Sequence, residues 1–141
     1  KEGRTVLFVS HNMEAVKKEN MVIFRGNVIA KHKEYTLYSK ELYVYYIDGE
    51  EIREIVAIGD VKLVQLNKVA TSEKAVYARA TRTLVLTGNP QVRQDCDMVK
   101  GEKITIFIDE DKSLVEGDKN KRVKAVMFPK DKNKKTTVKC K

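Results

Sequence analysis

Glycines recur along this chain at Gly26, Gly59, Gly88 and Gly117, spaced by 33, 29 and 29 residues. A second landmark keeps step with them, because Ser39, Ser72 and Gly101 each follow the preceding repeat glycine by 13 residues. From Ser10, Ser39, Ser72 and Gly101 to the next repeat glycine the intervals are 16, 20, 16 and 16. The long interval holds Ile47-Asp48-Gly49-Glu50, an Asp-Gly hairpin signal that lengthens one turn without disturbing the strands beside it. A fixed period of about 30 residues implies stacked supersecondary units, each burying its apolar side mainly against its neighbours.

Between the landmarks the side chains alternate. Val22, Phe24, Val28 and Ala30 are interleaved with Ile23, Arg25, Asn27 and Lys31, and a period of two indicates strand. Glycine interrupts three such runs at Gly26, Gly59 and Gly88, which predicts a bulge or corner at each. Pro90 removes a backbone donor directly after the third. Laid over one another, the repeats align Leu42 with Ala75 and Ile104, and Val44 with Tyr77 and Ile106. They also align Leu37 with Ala70 and Val99, Val28 with Val61, and Ala30 with Leu63 and Val92. The leading strands contribute Phe24, Ala57, Leu86 and Val115, while Lys40, Lys74 and Lys103 fall on opposite faces. Each strand therefore has a dry side and a wet side. The only helical signal, Glu14 to Asn20, has flanks that favour strand or loop. The expected fold is all-β and elongated, with one β domain over residues 1–128 and a basic tail over 129–141. A stack of strands is not closed, so Val6 to Val9 at one end and Val123 to Phe128 at the other should offer unpaired backbone groups to a neighbour.

At 141 residues the chain can bury a core. No apolar run approaches the ~20 residues a membrane-spanning helix needs. The chain begins at Lys1 without Met, as a processed or trimmed product would. The net charge of +8 suits an anionic partner, although Lys130, Lys132, Lys134, Lys135, Lys139 and Lys141 place part of it in the tail. Cys96 and Cys140 have no metal-ligand spacing, and whether they pair is open. His11 and His32 lie in different repeats, and the clusters Asp109-Glu110-Asp111 and Glu50-Glu51 read as solvated hairpin tips. Tyr35, Tyr38, Tyr43, Tyr45 and Tyr46 interleave with lysines, but alternation sends neighbours to opposite faces, so no stacking platform for nucleic acid is expected. The residues announce no catalytic centre, no cofactor and no metal site.

Thr5 to Val16 resembles the switch strand of ABC-transporter ATPases, yet no glycine opens a G-x-x-x-x-G-K-[ST] phosphate loop. A broader resemblance covers residues 6–128. Phe24-Arg25-Gly26-Asn27-Val28-Ile29, Val56-Ala57-Ile58-Gly59-Asp60-Val61-Lys62-Leu63, Leu84-Val85-Leu86-Thr87-Gly88-Asn89-Pro90 and Gly101-Glu102-Lys103-Ile104-Thr105-Ile106 are similar to the repeats of the periplasmic lipopolysaccharide-transport proteins of the LptA/OstA family. Ser10-His11-Asn12-Met13-Glu14-Ala15 resembles that family's opening strand. The resemblance implies an open antiparallel β-jelly roll bent into a V, a periplasmic location, and lipopolysaccharide acyl chains received inside the V. It also implies head-to-tail joining of copies, and contact with inner-membrane and outer-membrane transport components.

On that reading the groove is lined by Phe24, Val28, Leu37, Leu42, Val44, Ala57, Val61, Leu63, Tyr77, Leu86, Val92, Ile104 and Ile106. Arg25, Lys62, Arg79 and Arg93 are the candidates for lipid phosphate at its rim. An acyl chain loses about 0.8 kcal/mol for each CH2 exposed to water, so its path must be unbroken. The alternative is a structural β-solenoid with a packed interior, acting only through its end strands.

Overall fold

The computed structural model describes residues 5–48 and 51–128. Gly49 and Glu50 of the expected Asp-Gly turn, and the basic tail with Cys140, lie outside the described residues. The strands are β1 (Leu7–Val9), β2 (Asn12–Val16), β3 (Met21–His32), β4 (Tyr35–Ile47), β5 (Glu51–Gln65), β6 (Lys68–Ala78), β7 (Thr83–Thr87), β8 (Gln91–Gln94), β9 (Asp97–Lys100), β10 (Lys103–Phe107), β11 (Lys112–Glu116) and β12 (Lys124–Val126). Among the described residues the weak helical signal ends as one 3-10 turn, Lys17–Glu19. Every pairing among the described residues is antiparallel, and the strands belong to one 12-stranded sheet that does not close.

The sheet has two walls joined by its long strands. Segments 21–25, 41–47, 51–58 and 74–78 of β3 to β6 form the first wall, flanked by β2 on one side and by β7, β10 and β11 on the other. Segments 28–32, 35–39, 61–65 and 68–72 form the second, flanked by β1 and by β8, β9 and β12. The ladder shifts register between the two segments, at Arg25/Val28, Tyr38/Glu41 and Ile58/Val61.

The repeated landmarks make those bends. Gly26, Gly59 and Gly88 have φ of +90°, +90° and +82°, and each is followed by Asn27, Asp60 or Asn89, also at positive φ. Glycine enters this region without a Cβ penalty, and Asn and Asp tolerate it better than other side chains. The facing strand supplies a serine. The hydroxyls of Ser10, Ser39 and Ser72 donate to the carbonyls of Asn12, Glu41 and Lys74 at 2.9, 2.9 and 3.0 Å, satisfying an acceptor that the bulge takes out of the ladder.

The fourth bend departs from this pattern. Gly101 stands where the serine would be, and the chain leaves Gly117 in a loop closed by Asp118, whose Oδ1 accepts from the backbone N–H groups of Asn120 and Lys121 at 2.8 and 2.7 Å. Gln91 and Lys124 both pair with Lys100, but the first lies 3 residues past its glycine and the second 7, so the loop inserts four residues.

The walls meet face to face. One apolar cluster takes Phe24, Leu42, Ala57, Ala75, Leu86 and Ile104 from the first wall and Ala30, Val61 and Ala70 from the second. The rings of Phe8 and Phe24, one from each wall, stack with centroids 4.7 Å apart and planes 16° from parallel.

Candidate functional site

Cross-strand pairing strings the inward side chains into rows that run the length of the sheet. On the first wall the row nearest the bend is Met13, Phe24, Leu42, Ala57, Ala75, Leu86, Ile104 and Val115, each facing the next across its strand pair. The next row outward is Ala15, Val22, Val44, Ile55, Tyr77, Leu84, Ile106 and Ser113. On the second wall Phe8, Ala30, Leu37, Leu63, Ala70, Val92, Val99 and Ala125 make the matching row. Eight strands at about 4.8 Å spacing give an apolar lane of about 34 Å.

All thirteen residues expected to line the groove fall in this cluster or pack against it. Depth divides them. Phe24, Val28, Leu42, Val44, Ala57, Val61, Leu86 and Ile104 are buried, with Leu42, Val44 and Ile104 at 0% exposure. Leu37, Leu63, Tyr77, Val92 and Ile106 are half-buried, and all five stand in the rows farther from the bend, where Val44 is the one buried member of the thirteen. The interior is thus packed along its spine and accessible toward its tips.

The sequence reading missed Phe8, Tyr46, Ile52 and Ile55, which also pack on the cluster. Ile52 and Ile55 are three apart in a strand, so simple alternation puts them on opposite faces. The ladder shifts between Tyr45 and Tyr46, which pair with Glu54 and Ile52, leaving Arg53 as an extra residue that restores both isoleucines to one side. Arg53 then lies over the outward Tyr45 ring, 5.7 Å from its centroid.

At the tips the lining turns polar. Arg79 pairs with Glu51 at 2.9 Å and Arg82 with Asp109 at 3.1 Å on the first wall; the second ends in the row Tyr35, Gln65, Lys68 and Gln94. Burial raises the Tyr35 phenol above its ordinary value, helped by the nearby carboxylates of Glu34 and Asp111. Of the four basic residues considered for a rim, only Arg79 stands at one. Arg25 faces outward from the first wall, hydrogen-bonded to Glu14 at 3.0 Å, and that bond is the main cause of its raised pKa. Lys62 and Arg93 face outward from the second wall.

Among the described residues no acid, base and nucleophile converge. His11 Nε2 lies 3.3 Å from Asn27 Nδ2 at the first bend, and His32 Nδ1 lies 3.0 Å from the Thr5 carbonyl at a tip. Cys96 is buried and disulfide-bonded. Among the described residues no group of three His, Cys, Asp or Glu side chains could hold a metal. Both ends of the sheet expose apolar side chains among polar ones: β1 and β2 expose Leu7, Val9 and Met13 at one edge, and β11 and β12 expose Leu114 and Val126 at the other.

A family model described as LptA/(LptD N-terminal domain) LPS transport protein matches residues 9–112. The lipopolysaccharide export system protein LptA of Escherichia coli (strain K12) is 32% identical over 127 residues, covering 82% of this chain and 68% of that protein. The protein of the same description from Shigella flexneri gives the same identity and coverage. In fold, the chain matches the crystal structure of LptH of Pseudomonas aeruginosa, described as the LptA homologous periplasmic component of the conserved lipopolysaccharide transport device. The TM-score is 0.80 at 15% identity, covering 92% of this chain and 100% of that one.

Proposed function

Because the chain belongs to the family of LptA and the LptD N-terminal domain, we propose that it is a non-enzymatic carrier of lipopolysaccharide in the periplasm, holding acyl chains between its two walls. The observation that carries this reading is the lane itself: inward rows of apolar side chains cross the whole sheet with Leu37, Leu63 and Val92 half-buried on one wall and Tyr77 and Ile106 on the other. Successive strands present similar linings, so a fatty chain gains about the same from each position and can advance without a deep well. The packed spine sets the depth, and the half-buried residues take the lipid.

Copies join end to end through the open edges. Strand direction alternates from β2 to β11, so the β2 of a second copy placed beside β11 is again antiparallel. Carrying the internal rule across the junction, in which Arg25 faces Glu41 and Thr87 faces Lys103, sets Glu116 against Asn12 and Val115 against Met13. On the second wall the same step sets Ala125 against Phe8. The inward rows then continue from copy to copy, and the ends of such a chain meet the inner-membrane and outer-membrane transport components.

Photocrosslinking with purified lipopolysaccharide tests the groove. A crosslinking side chain at Leu63 or Ile106 should label the glycolipid and one at the outward Lys74 should not. Equal labelling from both faces defeats the reading and leaves the packed solenoid acting through its ends.

A further inference from the structure

The two walls share strands but differ in the charge of their outward faces. Side chains pointing away from the core on the first wall include Glu14, Glu41, Glu54 and Glu116 against Arg25, Lys74, Lys103 and Lys112, a balanced set. Several of these pair, as Arg25 does with Glu14 and Glu41. The outward rows of the second wall run from Val9 to Lys124 and from Leu7 to Val126. They carry Lys31, Lys62, Arg93, Lys100 and Lys124 and no aspartate or glutamate. All five cations are exposed, and none makes an ion pair with a described residue. Between them lie the half-buried Ile29, Val64, Val69 and Met98.

We propose that the outward face of the second wall docks this protein on an anionic lipid bilayer. The cations are spread from β3 to β12, across seven neighbouring strands and about 29 Å, in two parallel rows. That spacing suits a sheet of head-group charge, where one phosphate would call for convergent donors. Nucleic acid is disfavoured because the face has one exposed aromatic, Tyr38, and Lys62 Nζ already lies 5.9 Å from its ring centroid, so bases find no open stacking platform. Apolar side chains between lysines fit the interface of an anionic membrane, whose attraction falls away within a Debye length. The proposal is independent of the groove, which opens on the other side of the same wall.

The test is flotation of the full chain with vesicles of phosphatidylcholine, with and without phosphatidylglycerol, at low and high salt. A Lys62→Glu, Arg93→Glu, Lys100→Glu triple variant is compared with a Lys74→Glu, Lys103→Glu, Lys112→Glu variant, which makes the same change in net charge on the first wall. Melting curves establish that both fold, and Lys62→Gln and Lys100→Gln as single variants repeat the comparison with minimal disturbance. The expected result is salt-sensitive binding to the anionic vesicles only, kept by the first-wall variant and weakened at least about a hundredfold by the second-wall variant, at about fivefold for each cation removed and more for the carboxylate put in its place. Equal behaviour of the two triple variants overturns the proposal, since net charge or another segment then carries the binding. Binding that persists at high salt overturns it in favour of lipid taken into the groove, and binding to duplex DNA without binding to vesicles overturns it in favour of a polynucleotide.

Discussion

A Cβ built on Gly59 would fall 2.9 Å from Lys40 Cβ, on a backbone at φ +90°. Space and conformation therefore refuse a side chain for separate reasons. Gly59→Ala should lower stability by about 1–3 kcal/mol, the range for a non-glycine residue forced into a sparsely allowed region, read as a lower urea midpoint. A change within the scatter of surface substitutions would mean that the bend does not depend on this geometry. Asn27, Asp60 and Asn89, which already sit at positive φ, mark how the chain continues through each corner. The same pair of residue types makes three bends because the steric problem is the same three times.

Strands β4 and β5 carry the division between core and groove within a few residues. Leu42 is 0% exposed and faces Ala57, whereas Leu63, facing Leu37 on the other wall, is half-buried. Leu42→Ala should cost about 2–5 kcal/mol through lost contacts and an unfilled cavity. Leu63→Ala should cost about 1 kcal/mol, less than full burial of a leucine contributes, while reducing lipopolysaccharide binding more than Leu42→Ala does among the folded molecules. Chemical denaturation and glycolipid binding measured on the two variants separate packing from lining. If both lose stability equally, the interior is one packed core and the lane is closed.

For the whole molecule, the open edges set the prediction. The register derived for a junction of two copies puts Leu114 of β11 opposite Glu14 of β2, both exposed and both outward. Facing residues of an antiparallel pair have Cβ atoms about 4.5–5.5 Å apart, so Leu114→Cys with Glu14→Cys should give a ladder of disulfide-linked oligomers on mild oxidation. Leu114→Cys with Ala15→Cys should give none, because one residue of slip moves a side chain to the other face. A ladder from the second pair alone would place the copies in another register. The loop after Gly117 adds four residues at one edge of this junction, and the β12 register absorbs them by pairing Lys124 with Lys100.

The fold was legible in the sequence because its causes are local and repeated. A period of two makes strands, Gly with Asn or Asp makes a bend wherever it occurs, and equal spacing stacks the bends. The rows Leu42, Ala75, Ile104 and Val44, Tyr77, Ile106 followed from alignment alone. What the tertiary structure decided is everything set by a neighbour in space. Arg53 became an extra residue only against Tyr45 and Tyr46 of the next strand, so Ile52 and Ile55 were hidden from alternation. Burial of Leu42 and half-exposure of Leu63 depend on distance from a bend. The acid-free outward face appears only when residues far apart in the chain are set side by side, because a charge has no face until its strand has neighbours.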